Sequence, residues 1–191
     1  MNAKTLLLAV AIVCSLMAAV AVNAPKPVVV RRGKLCEKYL LRKVGKDKAT
    51  GSRIANLKAF DTNDVSLPAQ VKQWLEIANQ ETLGAHELRY GDKHALLLNA
   101  THIHATGLAV NFQYWFIKVD NQSIEFLSQS ENPNLIFWDR DGLLNYYVID
   151  FSDDFLTKKD WDNVTLNLLR YRVGRDSKAE LISKESVVNC E

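Results

Sequence analysis

The chain has 191 residues, of which 48% are hydrophobic and 24% charged, and its formal net charge is +2. This length suffices for one domain with a buried core. No internal repeat, low-complexity segment or linker-like stretch indicates a second domain.

The first 24 residues have the pattern of a secretory signal peptide. Lys4 supplies a positive charge, an apolar run extends from Leu6 to Val22, and small residues lead to a cleavage site after Ala24. The alternative is an uncleaved membrane anchor, because the run reaches the short end of the spanning range. No later stretch can span a bilayer, so we expect a secreted, extracellular protein.

Two cysteines, Cys36 and Cys190, remain once Cys14 has left with the signal peptide. An even pair in an oxidising compartment predicts one disulfide that ties the start of the mature chain to its end. The alternatives are two free thiols or an intermolecular bridge. Three sequons predict glycosylation, and each acceptor must then face water: Asn99, Asn121 and Asn163.

Charge is divided unevenly along the chain. Residues 25–58 contain eleven Lys and Arg against only Glu37 and Asp47, whereas the rest of the mature chain is acidic. We therefore divide the mature chain into a basic N-terminal segment, 25–60, and a domain, 61–191. The basic residues of 26–58 either lie on the acidic body, remain solvated, or bind a polyanion. They form no tight block with interleaved aromatics, so no nucleic acid is expected.

Secondary structure is predicted from periodicity and from turn residues. Gly45 and Gly51 indicate loops within 37–60. A helix is expected over 66–82, because its apolar residues recur at i, i+3, i+4 and i+7 and Gly84 follows as a stop. Runs of β-branched and aromatic residues predict strands at 94–106, 108–119, 123–129, 134–138, 143–151 and 164–173.

A hairpin turn is expected at Asp139-Arg140-Asp141-Gly142. No helix-length pattern separates the predicted strands, so the sheet should be antiparallel. The expected fold is therefore α+β, with one main helix packed on a curved antiparallel sheet.

His102 and His104 would share one face of a strand and could approach one metal ion. A zinc site needs further ligands at a diagnostic spacing, which the other histidines do not supply, so no metal site is predicted. A glycan on Asn99 would direct His102 and His104 toward the core side. We therefore expect the strand to end before His102 and residues 102–107 to form a loop.

Catalytic patterns are missing from the sequence. The Asp-rich stretch at 139–142 opens like a calcium loop but lacks its later ligands. There is no nucleophile elbow, phosphate-binding loop or Cys/His dyad. We predict no enzyme, no catalytic residue and no cofactor.

Two stretches carry a family resemblance. "PAQVKQWLEIANQET" is similar to the central helix of the cystatin family, and "HIHATGLAVNFQYWFIKV" resembles its first inhibitory hairpin. A loop that contains Trp161 matches the second hairpin, and Gly33 the N-terminal glycine. The sequence departs from the family pattern because His102 and His104 replace the loop's Gln and Val.

The resemblance implies a cystatin-like fold and inhibition of cysteine proteases by an apolar wedge. The implied contact residues are Gly33, His102, Ile103, His104, Ala105, Thr106, Gly107 and Trp161. The alternative is a secreted carrier whose strand aromatics line a pocket for a small apolar ligand: Phe112, Tyr114, Trp115, Phe116, Phe137, Trp138, Tyr146 and Tyr147. A third hypothesis is an effector that binds a polyanion or a receptor.

Overall fold

Two antiparallel sheets and a helix make up the part of the chain that the computed structural model describes: residues 28–57, 84–103, 111–120, 122–151, 165–174, 176, 178–188 and 190. Each sheet is a meander, in which strands that follow one another along the chain are paired. Short turns between neighbouring antiparallel strands account for this arrangement.

The first sheet has five strands in sequence order: β1 (Arg53–Asn56), β2 (Gly84–Tyr90), β3 (Lys93–Ile103), β4 (Asn111–Val119) and β5 (Gln122–Ser128). The second sheet has four: β6 (Ile136–Trp138), β7 (Leu144–Phe151), β8 (Leu166–Val173) and β9 (Ala179–Val187). A short 3-10 helix, Pro133–Leu135, leads from the first sheet into the second.

The main core lies between the two sheets. Alternate residues of β3 and β4, such as Leu97 and Trp115, meet alternate residues of β6 and β7, such as Trp138 and Tyr146, in one buried cluster. Because side chains alternate across a strand, their neighbours point the other way. On the outer face of the first sheet, Leu98, Ala100 and Phe116 are also fully buried.

The described helix, α1 (Val28–Asp47), packs on the other face of the second sheet. Cys36, Leu40 and Val44 recur every four residues and form a buried stripe, with exposures of 1%, 0% and 4%. The stripe contacts Phe137, Tyr147, Ile149, Leu166 and Leu168, the residues of the second sheet that face away from the first.

The sheets are also joined through their backbones. The short strand β6 pairs with only the first part of β7. Beyond it, Gln129 N at the end of β5 donates to Ile149 O at 2.9 Å. Near the other end of β6, Ala49 N, just after α1, donates to Trp138 O at 2.9 Å.

The predicted disulfide is confirmed. Cys36 of α1 and Cys190 are bonded, with Cα atoms 4.9 Å apart and 154 residues apart in sequence. Both cysteines are buried in the core beneath α1. The bridge therefore fastens the helix to the C-terminal end of the chain. Within the described ranges, no helix combines the length and apolar character needed to cross a membrane.

The expected fold class is wrong. We predicted α+β, with one main helix on a single curved antiparallel sheet of cystatin type, whereas the described chain is mostly strand and forms two sheets. The helix that packs on a sheet is Val28–Asp47, inside the segment where Gly45 and Gly51 indicated loops. The predicted helix 66–82 lies outside the described residues.

The six predicted strands are confirmed, with shifted ends, as β3 to β8. Three further strands, β1, β2 and β9, were missed. Strand β9 is largely exposed on both faces, so it lacks the alternation that marks a half-buried strand. Gly84, predicted to end a helix, begins β2 instead.

Candidate functional site

A cleft of about 370 Å³ opens where the two sheets present their hairpin turns. The turns that follow β2, β4, β6 and β8 all reach it, because alternate turns of a meander lie at the same end of a sheet. The cleft is lined by Asp92, Lys93, His94, Val119, Asp120, Gln122, Trp138, Gly142, Leu143, Leu144, Val173 and Gly174. Such a cavity lies at the lower end of the size range of ligand sites, about 300 to 1,000 Å³.

The apolar lining of the cleft comes from both sheets. Trp138, Leu144 and Val173 belong to the core cluster between the sheets, and Val119 packs against it. Trp138 and Leu144 are cross-strand partners in the hairpin of β6 and β7. A rigid pair of strands therefore holds the indole ring at the cleft.

A lysine is held beside this ring. Lys93 Nζ lies 5.7 Å from the centre of the Trp138 ring and donates a hydrogen bond to Gly142 O. Gly142 has φ 69°, and a Cβ at this position would lie 2.6 Å from Lys93 Nζ. A side chain there would therefore strain the turn and displace the ammonium group.

The Trp138 hairpin is fixed by one buried carboxylate. Asp139 Oδ1 accepts from Asp141 N at 3.0 Å and from Leu143 N at 2.9 Å, and Oδ2 accepts from Asn145 Nδ2 at 2.8 Å. Arg172 Nη2 lies 3.4 Å from Oδ2. The predicted hairpin at 139–142 is confirmed, and its acidic residue serves the turn itself.

The polar groups of the cleft lie at its rim. Asp92, Asp120 and Gln122 are exposed residues of the turns after β2 and β4. His94 also lines the cleft, but its Nδ1 lies 3.6 Å from Glu87 Oε1 on the outer face of the first sheet. We therefore do not count its imidazole among the groups available to a ligand.

The indole nitrogen of Trp138 is the most informative atom of the cleft. Trp138 is 4% exposed, and within the described part of the chain its Nε1 has no hydrogen-bond partner. By contrast, Trp115 Nε1 donates to Ser130 O at 3.0 Å. A buried indole N–H usually has an acceptor, so Trp138 has an unused donor beside an open cleft.

A second polar group lies between the sheets, toward the opposite end. His86 Nδ1 is 2.9 Å from Asn56 Oδ1, and Asn99 Nδ2 donates to Gln113 Oε1 at 3.2 Å. Burial lowers the pKa of His86, while a hydrogen bond with Asn99 opposes that shift. A Cβ on Gly84 would lie 2.0 Å from Asn99 Oδ1, so glycine leaves room for this amide.

The structure corrects the expectation for Asn99. This residue is 8% exposed and lies on the inner face with Leu97, so its side chain does not face water as a glycan acceptor should. The strand alternation was correct, but the two faces were assigned the wrong way round. Asn121 and Asn163 lie outside the described residues.

The predicted inhibitory residues are only partly described. His102 and Ile103 lie in β3, paired with Phe112 and Asn111, so the expected loop does not begin at His102. Gly33 lies within α1. Residues 104–107 and Trp161 lie outside the described residues. The described histidines, cysteines and carboxylates include no group of three or more that could hold a metal ion.

The aromatic residues proposed to line a carrier pocket are distributed over several environments. Trp138 lines the cleft, whereas Trp115 and Tyr146 are buried deeper between the sheets. Phe137 and Tyr147 pack beneath α1. The sequence prediction thus included one cleft residue and missed the turn residues around it, such as Lys93. Their signal was the Gly, Asp and Asn residues of alternate hairpin turns.

Comparison with known proteins adds no relative to this description. No protein-family model, curated protein or solved structure matches the chain.

Proposed function

We propose that this is a secreted binding protein that holds a small molecule in the cleft between its two sheets. The observation that carries the proposal is the buried Trp138 indole N–H, which has no acceptor among the described residues and belongs to a ring that lines the cleft. An apolar cavity with a few polar groups at its rim is the usual form of a ligand site.

The cleft indicates the kind of ligand. Val119, Leu144 and Val173 offer apolar contacts for a ring or a short chain. An oxygen or nitrogen acceptor on that body would receive the Trp138 N–H. The volume limits the buried part of the ligand to about the size of one or two rings, because the cavity is at the low end for drug-sized molecules.

The experiment is native mass spectrometry of the purified protein after incubation with a lipid and metabolite extract. The wild-type protein should retain a small molecule, and Trp138→Phe should retain less because it keeps an aromatic ring but loses the donor. Trp115→Phe is the matched control, since it removes a buried indole N–H that already has its acceptor in Ser130 O.

The outcome against the proposal is also defined. No retained molecule on the wild-type protein, or equal retention by wild type and Trp138→Phe, would remove the cleft as the binding site. Because both substitutions lie in the core, urea unfolding must first show that the two variants are folded under the conditions of the binding measurement.

Secretion is part of the same proposal. It rests on the signal-like pattern of residues 1–24, and the Cys36–Cys190 disulfide supports it because such bonds persist in oxidising compartments. Expression in a secreting cell, followed by N-terminal sequencing, tests it. A secreted chain that begins at Pro25 is the expected product.

Inhibition of cysteine proteases stays a second proposal. Its support is the resemblance of the 102–119 stretch, together with the position of Ile103, Asn111, Phe151 and Leu166, four strand ends directed away from the cleft. An assay of the wild-type protein against papain-type proteases decides it, and absence of inhibition removes this candidate.

A further inference from the structure

A row of positive charges runs along the outward face of α1. Lys34, Lys38, Arg42 and Lys46 are all exposed and follow one another at intervals of four residues. At 1.5 Å per residue the interval is about 6 Å, so the row is about 18 Å long. Arg140 Nη2 donates to Lys46 O at 3.2 Å and adds a fifth charge near its C-terminal end.

The acidic residues of the helix are turned away from this row. Glu37 accepts hydrogen bonds from Ser130 Oγ at 2.8 Å and from Asn132 Nδ2 at 2.7 Å. Asp47 accepts from Arg170 Nη1 at 2.7 Å. Both carboxylates therefore hold the helix to the second sheet, and neither neutralises the outward face.

We propose that this row, Lys34, Lys38, Arg42 and Lys46, binds a linear sulfated polysaccharide. Evenly spaced exposed cations along a straight helix match the repeated anions of an extended chain. Neutralising several anions at once releases counterions, which makes such binding strong at low salt and strongly salt-dependent. The convex surface of a helix offers no pocket for a single small anion.

Other anionic partners fit this face less well. Single-stranded nucleic acid binds on exposed aromatic rings, whereas the aromatic residue between Lys34 and Asp47, Tyr39, is half-buried and donates to Glu185 Oε1 at 3.0 Å. Insertion into a membrane surface needs an apolar helix face. The apolar face of α1, with Leu40 and Val44, is buried against the second sheet.

This binding surface is separate from the cleft. Its residues lie on α1, and the cleft is lined by residues from the turns between strands. A substitution in the row should therefore leave ligand retention by the cleft unchanged, and Trp138→Phe should leave polysaccharide binding unchanged. Failure of either proposal does not affect the other.

The experiment is chromatography on immobilised heparin, with the sodium chloride concentration at elution as the readout. The test variant is Lys34→Gln with Lys38→Gln and Arg42→Gln. The matched control, Arg89→Gln with Lys178→Gln and Lys184→Gln, removes the same charge from other exposed positions. We expect the test variant to elute at clearly lower salt and the control to elute close to wild type.

The salt dependence of heparin binding in solution provides a second readout. The slope of log Kd against log salt concentration should fall by about 2 in the test variant, because each lost contact removes about 0.7 to 0.9. Equal losses in the two triple variants would overturn the proposal, because general charge would then suffice. Stronger binding to single-stranded DNA or to phosphatidylserine vesicles than to heparin would also overturn it.

Discussion

His86, Asn99 and Gln113 are polar residues on the inner face of the first sheet, where an apolar side chain would be expected. Their amides and imidazole are paired with one another and with Asn56 instead of with water. Buried polar groups are tolerated when their hydrogen bonds are made inside the protein. At the scale of the residue, this pairing explains why a sequon asparagine can lie in the interior.

The half-buried imidazole of His86 makes stability depend on pH. Its pKa in the folded protein lies below 6.5 because burial disfavours the imidazolium, whereas the unfolded chain titrates near 6.5. The unfolded state therefore binds more protons below pH 6.5, and the free energy of unfolding should fall as the pH drops from 6.5 through the folded-state pKa. The slope is less than about 1.4 kcal/mol per pH unit, the limit for one proton.

Urea unfolding between pH 7.5 and pH 5.5 measures this dependence. His86→Gln should make the curve flatter, while His94→Gln, on the exposed outer face, should leave it unchanged. A slope that survives in His86→Gln would assign the titration to another group.

At the scale of the element, α1 is held to the second sheet by two ion pairs of different quality. Arg170 pairs with Asp47, its Nη2 donates to the buried Asn145 Oδ1 at 3.3 Å, and its guanidinium lies 5.7 Å from two ring centres, those of Phe137 and Tyr147. The other pair, Lys43 with Glu185, joins side chains that are 38% and 41% exposed. Exposed pairs contribute little because water screens them.

We therefore expect Arg170→Met to lower the free energy of unfolding by about 2 kcal/mol, since hydrogen bonds to charged groups contribute about 1.5 to 3 kcal/mol. Lys43→Met should lower it by less than about 1 kcal/mol. Urea unfolding of both variants at one pH measures the difference. Equal losses would mean that the side chains around Arg170 rearrange and that burial does not decide between the pairs.

At the scale of the whole molecule, the Cys36–Cys190 bridge links α1 to the chain's C-terminal end across a sequence separation of 154 residues. Closing so long a loop restricts the unfolded chain far more than the folded one. The chain-entropy model gives about 5 kcal/mol for this length, and measured gains are commonly smaller.

The double substitution Cys36→Ser with Cys190→Ser should lower the free energy of unfolding by about 2 to 5 kcal/mol. Wild-type protein with its bridge reduced by dithiothreitol is the control and should behave like the variant. Reduction without any loss of stability would mean that packing beneath α1 is enough to hold the two ends together.

The sequence by itself determined the strands from β3 to β8, the hairpin at Asp139 and the disulfide. Strand alternation and turn residues are local properties, and two remaining cysteines in a predicted secreted chain have one simple pairing. The helix Val28–Asp47 was missed because its charged outward face and Gly45 obscured an apolar stripe of only three described residues, Cys36, Leu40 and Val44.

Only the tertiary structure decided how these elements combine. The break between β5 and β6 divides one run of strands into two packed sheets, and that packing brings four turns, Trp138 and Lys93 to one cleft. It also determined which face of β3 points inward, and hence the burial of Asn99. Periodicity records that a strand has two faces, but contacts between residues distant in sequence decide what each face meets.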